Sequence, residues 1–309
     1  MPELPDITVY VECLQGRLRG HPIESVRILH PFVLRSFEPS AESSCGCRVL
    51  DVSRLGKRIV LELSGELFWV IHLMIAGRLR WLARGENVPR RLGLAAFDLP
   101  HGTLLLTEAG TTRRASLHLV RGRSGLDAFR RKGVEPLDVD RDRFMQSLRR
   151  ENHTIKRALT DPDIVSGIGN AYSDEILHAA MLSPVARTQS LDDESLTRLH
   201  DACKRTLKLW VERLRREVGD GFPKQVTAFH AEMAVHGRFG QPCPVCQTKV
   251  QRIRYASNEC DYCPTCQTGG RLLADRGLSR LLRDDWPRSL EELDEHLALR
   301  KGAVMGSDK

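Results

Sequence analysis

Aromatic residues make up only 6% of the 309-residue chain, no apolar run is long, and there is neither an internal repeat nor a tract of low complexity. So few rings argue against a zinc-ribbon RNA-binding module, which needs stacking aromatics on a sheet face. The longest apolar stretch, Leu67 to Gly77, is about eleven residues and contains His72, well short of the roughly 18 that a membrane span requires. The first residues, Met1-Pro2-Glu3-Leu4-Pro5-Asp6, are acidic and proline-bearing, the opposite of a secretion signal. The chain therefore reads as soluble and cytoplasmic, with no membrane partner. Scattered cysteines are few: Cys13, Cys45, Cys47 and Cys203 stand apart, while five of the nine crowd between Cys243 and Cys266. That distribution excludes a disulfide framework and indicates a local metal site in a reducing compartment.

What is present begins with charge. Forty-seven Lys and Arg against forty Asp and Glu give +7, a modest excess that suits a polyanionic partner without identifying one. At roughly 150 residues per domain the length suggests about two domains. Ile7, Val9, Tyr10, Val11, Leu14 and Leu18 recur at helical spacing, predicting a leading helix over 6–18. From about Ile23 to Val120 the texture changes to short β-rich runs at 25–28, 47–52, 58–63, 67–73, 93–99 and 103–107, the spacing of an antiparallel sandwich or barrel. The basic stretch Arg121 to Lys132 leads through Gly133 and Pro136 into helical periodicity up to about Arg216. The predicted class is α+β multidomain. A β-sandwich with its leading helix occupies 1–125, a linker 126–137, a helical domain 138–240, a cysteine-rich β-hairpin 241–270 and a helical extension 271–309. Within the extension, alternating basic and apolar residues over 271–283 suggest a packed helix, and Ser289 with Glu292 fits a capping box for a last helix over 290–300.

Three motifs carry chemistry. Cys243-Pro-Val-Cys246 and Cys263-Pro-Thr-Cys266 are two C-x2-C knuckles separated by sixteen residues, the spacing of a closed four-thiolate structural zinc site. Cys260 has the same spacing to Cys263 and competes for a place, although using it would leave Cys266 unpaired. Arg252 and Arg254 alternate along the first strand of that hairpin as candidate phosphate contacts. The run Gly167-Ile168-Gly169-Asn170 lies between helical segments at 156–159 and 173–180. Its glycines can expose amides to a phosphate, or can simply make a tight helix connection. Pro2 becomes the terminal residue once Met1 is removed. A terminal α-amino group, titrating near 7.7–8.0, is partly unprotonated at neutrality and can attack a sugar C1′, with Glu3 placed to move protons.

Together these residues resemble the formamidopyrimidine-DNA glycosylase / endonuclease VIII family. Pro2-Glu3-Leu4-Pro5, Leu55-Gly56-Lys57-Arg58, Gly167-Ile168-Gly169-Asn170 and the cysteine finger occur in the family's order, over residues 1 to about 270. The resemblance implies a helix-two-turns-helix motif in the helical domain and damaged DNA in a cleft between the domains. The enzyme would be a monomeric bifunctional glycosylase/AP lyase with one structural zinc on Cys243, Cys246, Cys263 and Cys266. It implies Pro2 as Schiff-base nucleophile, Glu3 as proton donor and Lys57 as the loop lysine on the lesion's phosphate and sugar. Gly167, Gly169, Asn170 and Lys156 would hold phosphates, and Arg113, with Arg114 beside it, would enter the space left by the extruded base.

Departures from the family pattern are as informative. His72-Leu73-Met74-Ile75-Ala76-Gly77 stands for His-Leu-Gly-Met-Ser-Gly, leaving the void-filling role to Met74 or Ile75. Thr111-Thr112-Arg113-Arg114-Ala115-Ser116 stands for Asp-Pro-Arg-Arg-Phe-Gly, so an alanine replaces the aromatic wedge. The finger arginine becomes Asn258, which removes a charge from the phosphate grip and the second elimination unless Arg252 or Arg254 substitutes. Because a wedge matters least where no partner base must be held, these changes predict a preference for single-stranded, bubble or otherwise unpaired DNA. The rival reading is a non-catalytic DNA-damage or DNA-structure binding protein that keeps the clamp.

Overall fold

In the computed structural model the residues described are 1–89, 91–110, 112–224, 229–255, 258–274, 287–293 and 295. They fall into two units, Met1–Leu137 with Leu207–Ala228, and Asp138–Thr206 with Phe229–Lys309.

The first unit opens with α1 (Leu4–Leu18), whose first turn holds Pro5 and Asp6. Two antiparallel four-stranded sheets follow. One runs β1 (Ser25–Ile28), β6 (Gly93–Leu99), β7 (Gly102–Glu108), β5 (Gly77–Leu82). The other runs β2 (Val49–Leu55), β3 (Arg58–Leu63), β4 (Leu67–His72), β8 (Ser116–Arg121). Their inner faces share one hydrophobic cluster with α1, to which Ile7, Tyr10 and Leu14 contribute from the helix, Trp69 and Leu117 from one sheet, and Phe97 and Leu104 from the other. Trp69 meets Phe97 edge-on at 5.2 Å between ring centroids, a favourable aromatic geometry. The expected sandwich is therefore present, with its leading helix contributing to the core.

β3 and β4 read as nearly continuous apolar runs because both of their faces are covered. Val60, Phe68 and Val70 point away from the main cluster and pack with Leu126 of α2 (Gly122–Asp127) and with Phe129. The basic stretch expected as linker thus contains a short helix that seals the outer face of a sheet. Two strands escaped the sequence reading. In β5, Arg78 and Arg80 alternate with buried Leu79 and half-buried Trp81, and in β8, His118 alternates with buried Leu117 and Leu119.

The second unit holds α3 (Arg141–Arg149), α4 (Ile155–Thr160), α5 (Asn170–Ala179), the hairpin β9 (Gln251–Arg254) and β10 (Glu259–Tyr262), and α7 (Pro264–Thr268). The 26-residue α6 (Asp193–Val218) begins in this unit and ends in the first. Its final turns dock on α1, where Arg215 donates to Glu12 at 2.6 and 2.8 Å. Arg17 of α1 in turn donates to the carbonyls of Asp220 and Gly221 at 3.2 and 2.8 Å. Residues 271–274 are not helical, and the remainder of the packed helix expected over 271–283 lies outside the described residues. Of the expected last helix, 290–293 and 295 are helical and 294 and 296–300 lie outside the described residues. Ser289 Oγ accepts from the Glu292 amide at 3.2 Å. No helix among the described residues is long and apolar enough to cross a membrane.

Candidate functional site

In the first unit the chemistry-bearing residues gather at the start of α1. Glu3 is the N-cap, 2% exposed, and forms a reciprocal capping box. Its carboxylate accepts from the Asp6 amide while Asp6 Oδ2 accepts from the Glu3 amide at 2.7 Å. Such a box satisfies two otherwise orphaned helix donors and fixes the side chain's direction. The Glu-x-x-Asp spacing is visible in the sequence. Burial pushes the Asp6 carboxyl up to about 7, its bond from the Glu3 amide opposing and the nearby Glu3 charge reinforcing the rise. The α-amino group at Met1 is pushed below its ordinary value by burial, with Arg78 and Lys57 lowering it further and Glu3 and Asp6 opposing. Pro2 is buried beside it.

Lys57 reaches this neighbourhood from the two-residue turn between β2 and β3, where Leu55 pairs with Arg58. Gly56 has φ 61° at the first turn position, where a type II′ hairpin requires glycine. Burial lowers the Lys57 pKa while the Glu3 charge raises it, so the ammonium and the carboxylate interact. His72 lies across the ladder from Arg58. Burial first, then Arg58, Lys57 and His118, push its imidazole from 6.5 down to about 4, so it is neutral at neutral pH.

That shift has a sign. Between pH 6.5 and about 4 the unfolded chain holds a proton on His72 that the folded chain refuses, so the contribution to stability is complete above 6.5 and is lost as pH falls. The loss reaches up to about 3 kcal/mol at 1.36 kcal/mol per pKa unit. Urea midpoints compared at pH 7 and pH 5 should show a smaller acid-side drop for His72→Gln than for the wild type. Equal drops would mean that His72 is not the group responsible.

The two loops expected to fill a vacated space differ in what they offer. Ile75 is 59% exposed at the tip of the turn after β4, whereas Met74 is half-buried with φ 54°, a left-handed conformation at the position where the family pattern has glycine. Arg113 is half-buried and donates to the Arg91 carbonyl at 2.8 Å, and Arg114 is exposed. The backbone of the loop is held by buried Glu108, whose carboxylate accepts from the amides of Arg114 and Ala115 at 2.9 and 3.0 Å. Ala115 itself is 3% exposed and joins the sandwich core. Glu108 had no sequence motif to mark it.

In the second unit, α5 organises the site. Gly167, with φ 80°, makes the left-handed step of the turn, Gly169 is the N-cap and Asn170 the first helical residue. Asn170 Nδ2 donates to the Glu259 carbonyl on β10 at 2.8 Å. Lys156 is 8% exposed and its ammonium donates to Asn170 O, Ser173 Oγ and Asp174 Oδ1 at 3.0, 3.0 and 2.5 Å, bracing the turn from inside. Asp174 continues to His236 Nδ1 at 2.7 Å. Glu175 accepts from the amides of Ala234, Val235 and His236 at 2.8, 2.9 and 3.0 Å.

The four knuckle sulfurs, of Cys243, Cys246, Cys263 and Cys266, lie within 4.8 Å of one another, with contacts of 3.9 Å between Cys243 and Cys266 and 3.3 Å between Cys246 and Cys263. A zinc with bonds of about 2.3 Å sets tetrahedral sulfur edges of about 3.8 Å, so the donor set fits that ion. Cys260 is not among them. It packs with Ile253, Tyr262 and Leu273, and its thiol is pushed well above the usual range by burial and by Asp174. His178, at the far end of α5, has Nε2 3.2 Å from Cys243 Sγ, and burial lowers its pKa, so a neutral ring can donate to the sulfur. Nothing in the sequence links the two, 65 positions apart. On the hairpin, Arg252 pairs with Glu259 at 2.9 Å and lies 4.5 Å from the Phe239 centroid, while Arg254 and Asn258 are exposed.

Comparison with known proteins agrees with this arrangement. Residues 1–116 match the formamidopyrimidine-DNA glycosylase N-terminal domain and residues 133–219 the formamidopyrimidine-DNA glycosylase H2TH domain. A formamidopyrimidine-DNA glycosylase of Pelotomaculum thermopropionicum is 32% identical over 274 residues, 86% of this chain and 99% of the relative. An uncharacterized formamidopyrimidine-DNA glycosylase-like protein of Mycobacterium tuberculosis is 44% identical over 160 residues, 52% of this chain and 99% of that protein. The Lactococcus lactis Fpg bound to DNA containing an abasic site superposes with TM-score 0.75 at 25% identity, covering 86% of this chain and 99% of that one. By its matched domains, its near-full-length relatives and its fold, the chain belongs to the formamidopyrimidine-DNA glycosylase family.

Proposed function

We propose that the chain is a bifunctional DNA glycosylase/AP lyase that removes oxidised bases and nicks the strand through an N-terminal proline Schiff base. The observation that carries this reading is the placement of buried Pro2 and Glu3 at the capped start of α1, with half-buried Lys57 within electrostatic reach of Glu3. With Met1 removed, the Pro2 nitrogen lone pair attacks C1′, and the glycosidic bond breaks with its electrons leaving on the base, which takes up a proton. Glu3 hands a proton to the ring oxygen as the sugar opens to an iminium. Loss of a C2′ proton then expels the 3′ phosphate, and a second elimination expels the 5′ phosphate. Lys57 contacts the phosphate and sugar and assists the elimination.

Phosphate holding falls to Lys57, the Gly167 to Asn170 turn, Arg113, Arg114 and the exposed Arg254, with Asn258 at the tip of the finger. The protein works as a monomer in the cytoplasm. Unpaired DNA is preferred, because Ile75 is the one exposed wedge and the position of the second wedge is an alanine sunk in the core. High rates on matched duplex lesions with poor rates on single strands would overturn that preference. The ion suited to the four thiolates is one structural zinc, which ties the two knuckles together. His178→Ala should weaken zinc affinity by about 10- to 100-fold, the usual cost of losing a hydrogen bond to a ligand, as read by competition with a chromogenic chelator.

The deciding experiment is borohydride reduction in the presence of abasic-site DNA. A covalent adduct mapped to Pro2 is the expected result. No adduct from a chain whose terminus is Pro2 would remove the lyase reading and leave a clamp that binds damage without reacting.

A further inference from the structure

Several aromatic rings stand on the surface of this aromatic-poor chain, among them Phe37, Phe32 and Phe229 at 87%, 71% and 65% exposed, and the His30 ring lies 5.7 Å from that of Phe32. A ring exposed singly is ordinary; Phe32 differs in the cleft that it lines. The segment carrying it is firmly built. Pro31–Val33 form a 3-10 turn closed by the Val33 amide on the His30 carbonyl at 3.0 Å, and Val33 is 2% exposed. The chain then runs beside β8, with the Arg35 amide on the Leu117 carbonyl at 2.9 Å and the Leu119 amide on Ser36 Oγ at 2.8 Å. His30 is tied to Leu94 on β6 through its amide at 3.1 Å. Phe32 is therefore a ring on a rigid mount.

That mount forms one wall of a cleft of about 660 Å³ whose other side is formed by Gly110, Thr112, Arg113 and Ala115. Arg35 and Arg113 line it, and among the described residues no acidic side chain does. At the opposite wall Ala115 is small and buried. Ring faces, guanidinium groups and an absence of carboxylates match a nucleotide: a flat apolar base attached to a phosphate.

We propose that this cleft is a binding site for an unpaired nucleobase of a DNA strand, which stacks on Phe32 and His30 while Arg35 and Arg113 hold its phosphate. The inference rests on the DNA-repair reading above and gives it a further determinant of substrate choice. A single strand or bubble can place a free base there, and a fully paired duplex cannot without unpairing it. Base stacking on an aromatic side chain is sequence-tolerant, so the site selects for lack of pairing and not for base identity.

The test uses the full-length protein and a short single-stranded oligonucleotide carrying one 2-aminopurine, whose fluorescence is quenched on stacking. Wild type should bind and quench. Phe32→Ala should bind the single strand on the order of 10- to 100-fold more weakly, the range found when a stacking ring is removed, and lose the quenching. Phe32→Trp should restore both. Arg35→Gln should lower the steepness of the salt dependence by about one phosphate's worth. Phe32 is exposed, so its variants should keep the fold, and matched thermal melts check it. Unchanged single-strand affinity and quenching in Phe32→Ala would overturn the proposal, as would an equal loss of affinity for single strand and matched duplex. Failure of the DNA-repair reading shows separately, as a wild type that gives no borohydride adduct with abasic DNA.

Discussion

Glu3→Gln lowers excision of an oxidised base by about 10²- to 10⁴-fold, the contribution of a well-placed proton donor, and leaves the fold intact. The second half of that expectation comes from the capping box. The Glu3 side chain accepts the Asp6 amide hydrogen, and a glutamine carbonyl oxygen can accept the same bond. The glutamine variant thus separates proton transfer from helix capping. Glu3→Ala removes both, and should add a stability loss of about 1 kcal/mol for the missing cap. Single-turnover cleavage on base-containing DNA, set beside thermal melts of the two variants, measures the separation. If glutamine excised bases at the wild-type rate, Glu3 would be only a cap, and the proton would have to come from elsewhere.

Replacing Cys266 by serine releases the zinc and abolishes tight DNA binding, whereas replacing Cys260 by serine keeps the zinc. Closed four-thiolate sites contribute about 10–16 kcal/mol of apparent binding energy that is also folding energy, so losing one ligand should be strongly destabilising. The consequence reaches past the finger. Asn170 is steadied by the Glu259 carbonyl on β10, and Glu175 and Asp174 of the same helix hold residues 234–236 at the finger's base. A collapsed hairpin therefore frees the turn that begins α5 as well as the arginines on β9. Metal content after desalting and anisotropy with abasic duplex check both halves. Zinc retained in Cys266→Ser but lost in Cys260→Ser would mean that the ligand set has been misassigned.

The sequence made the apolar strands, the leading helix and the cysteine knuckles legible because each is written in contiguous or regularly spaced residues. β5 and β8 were hidden for a physical reason. Their outward positions carry Arg78, Arg80 and His118, so their alternation resembles a basic loop until a neighbouring strand buries the leucines between them. Side-chain roles were harder still. Lys156 carries the same charge in any surroundings, and only the eighteen-residue return of the chain brings it to buried Asp174. Arg252 and Arg254 alternate alike in sequence, yet Arg252 is paired with Glu259 and packed on Phe239. Spacing of sulfurs announces a metal; the pairing of charges has no such local signature.

The division of the chain has a consequence for how the protein is made. The first unit is closed by Leu207–Ala228, which supplies Arg215 for Glu12 and the Gly221 carbonyl for Arg17. A ribosome that has released Leu137 must still synthesise the whole of Asp138–Thr206 and beyond before those groups emerge. At about 5–20 residues per second that is a wait of roughly five to twenty seconds. Throughout it α1 lacks its last partners. The nascent sandwich is therefore a waiting intermediate. A gene cut at the end of the sandwich would yield a permanently unfinished protein, even though every strand of both sheets would be present.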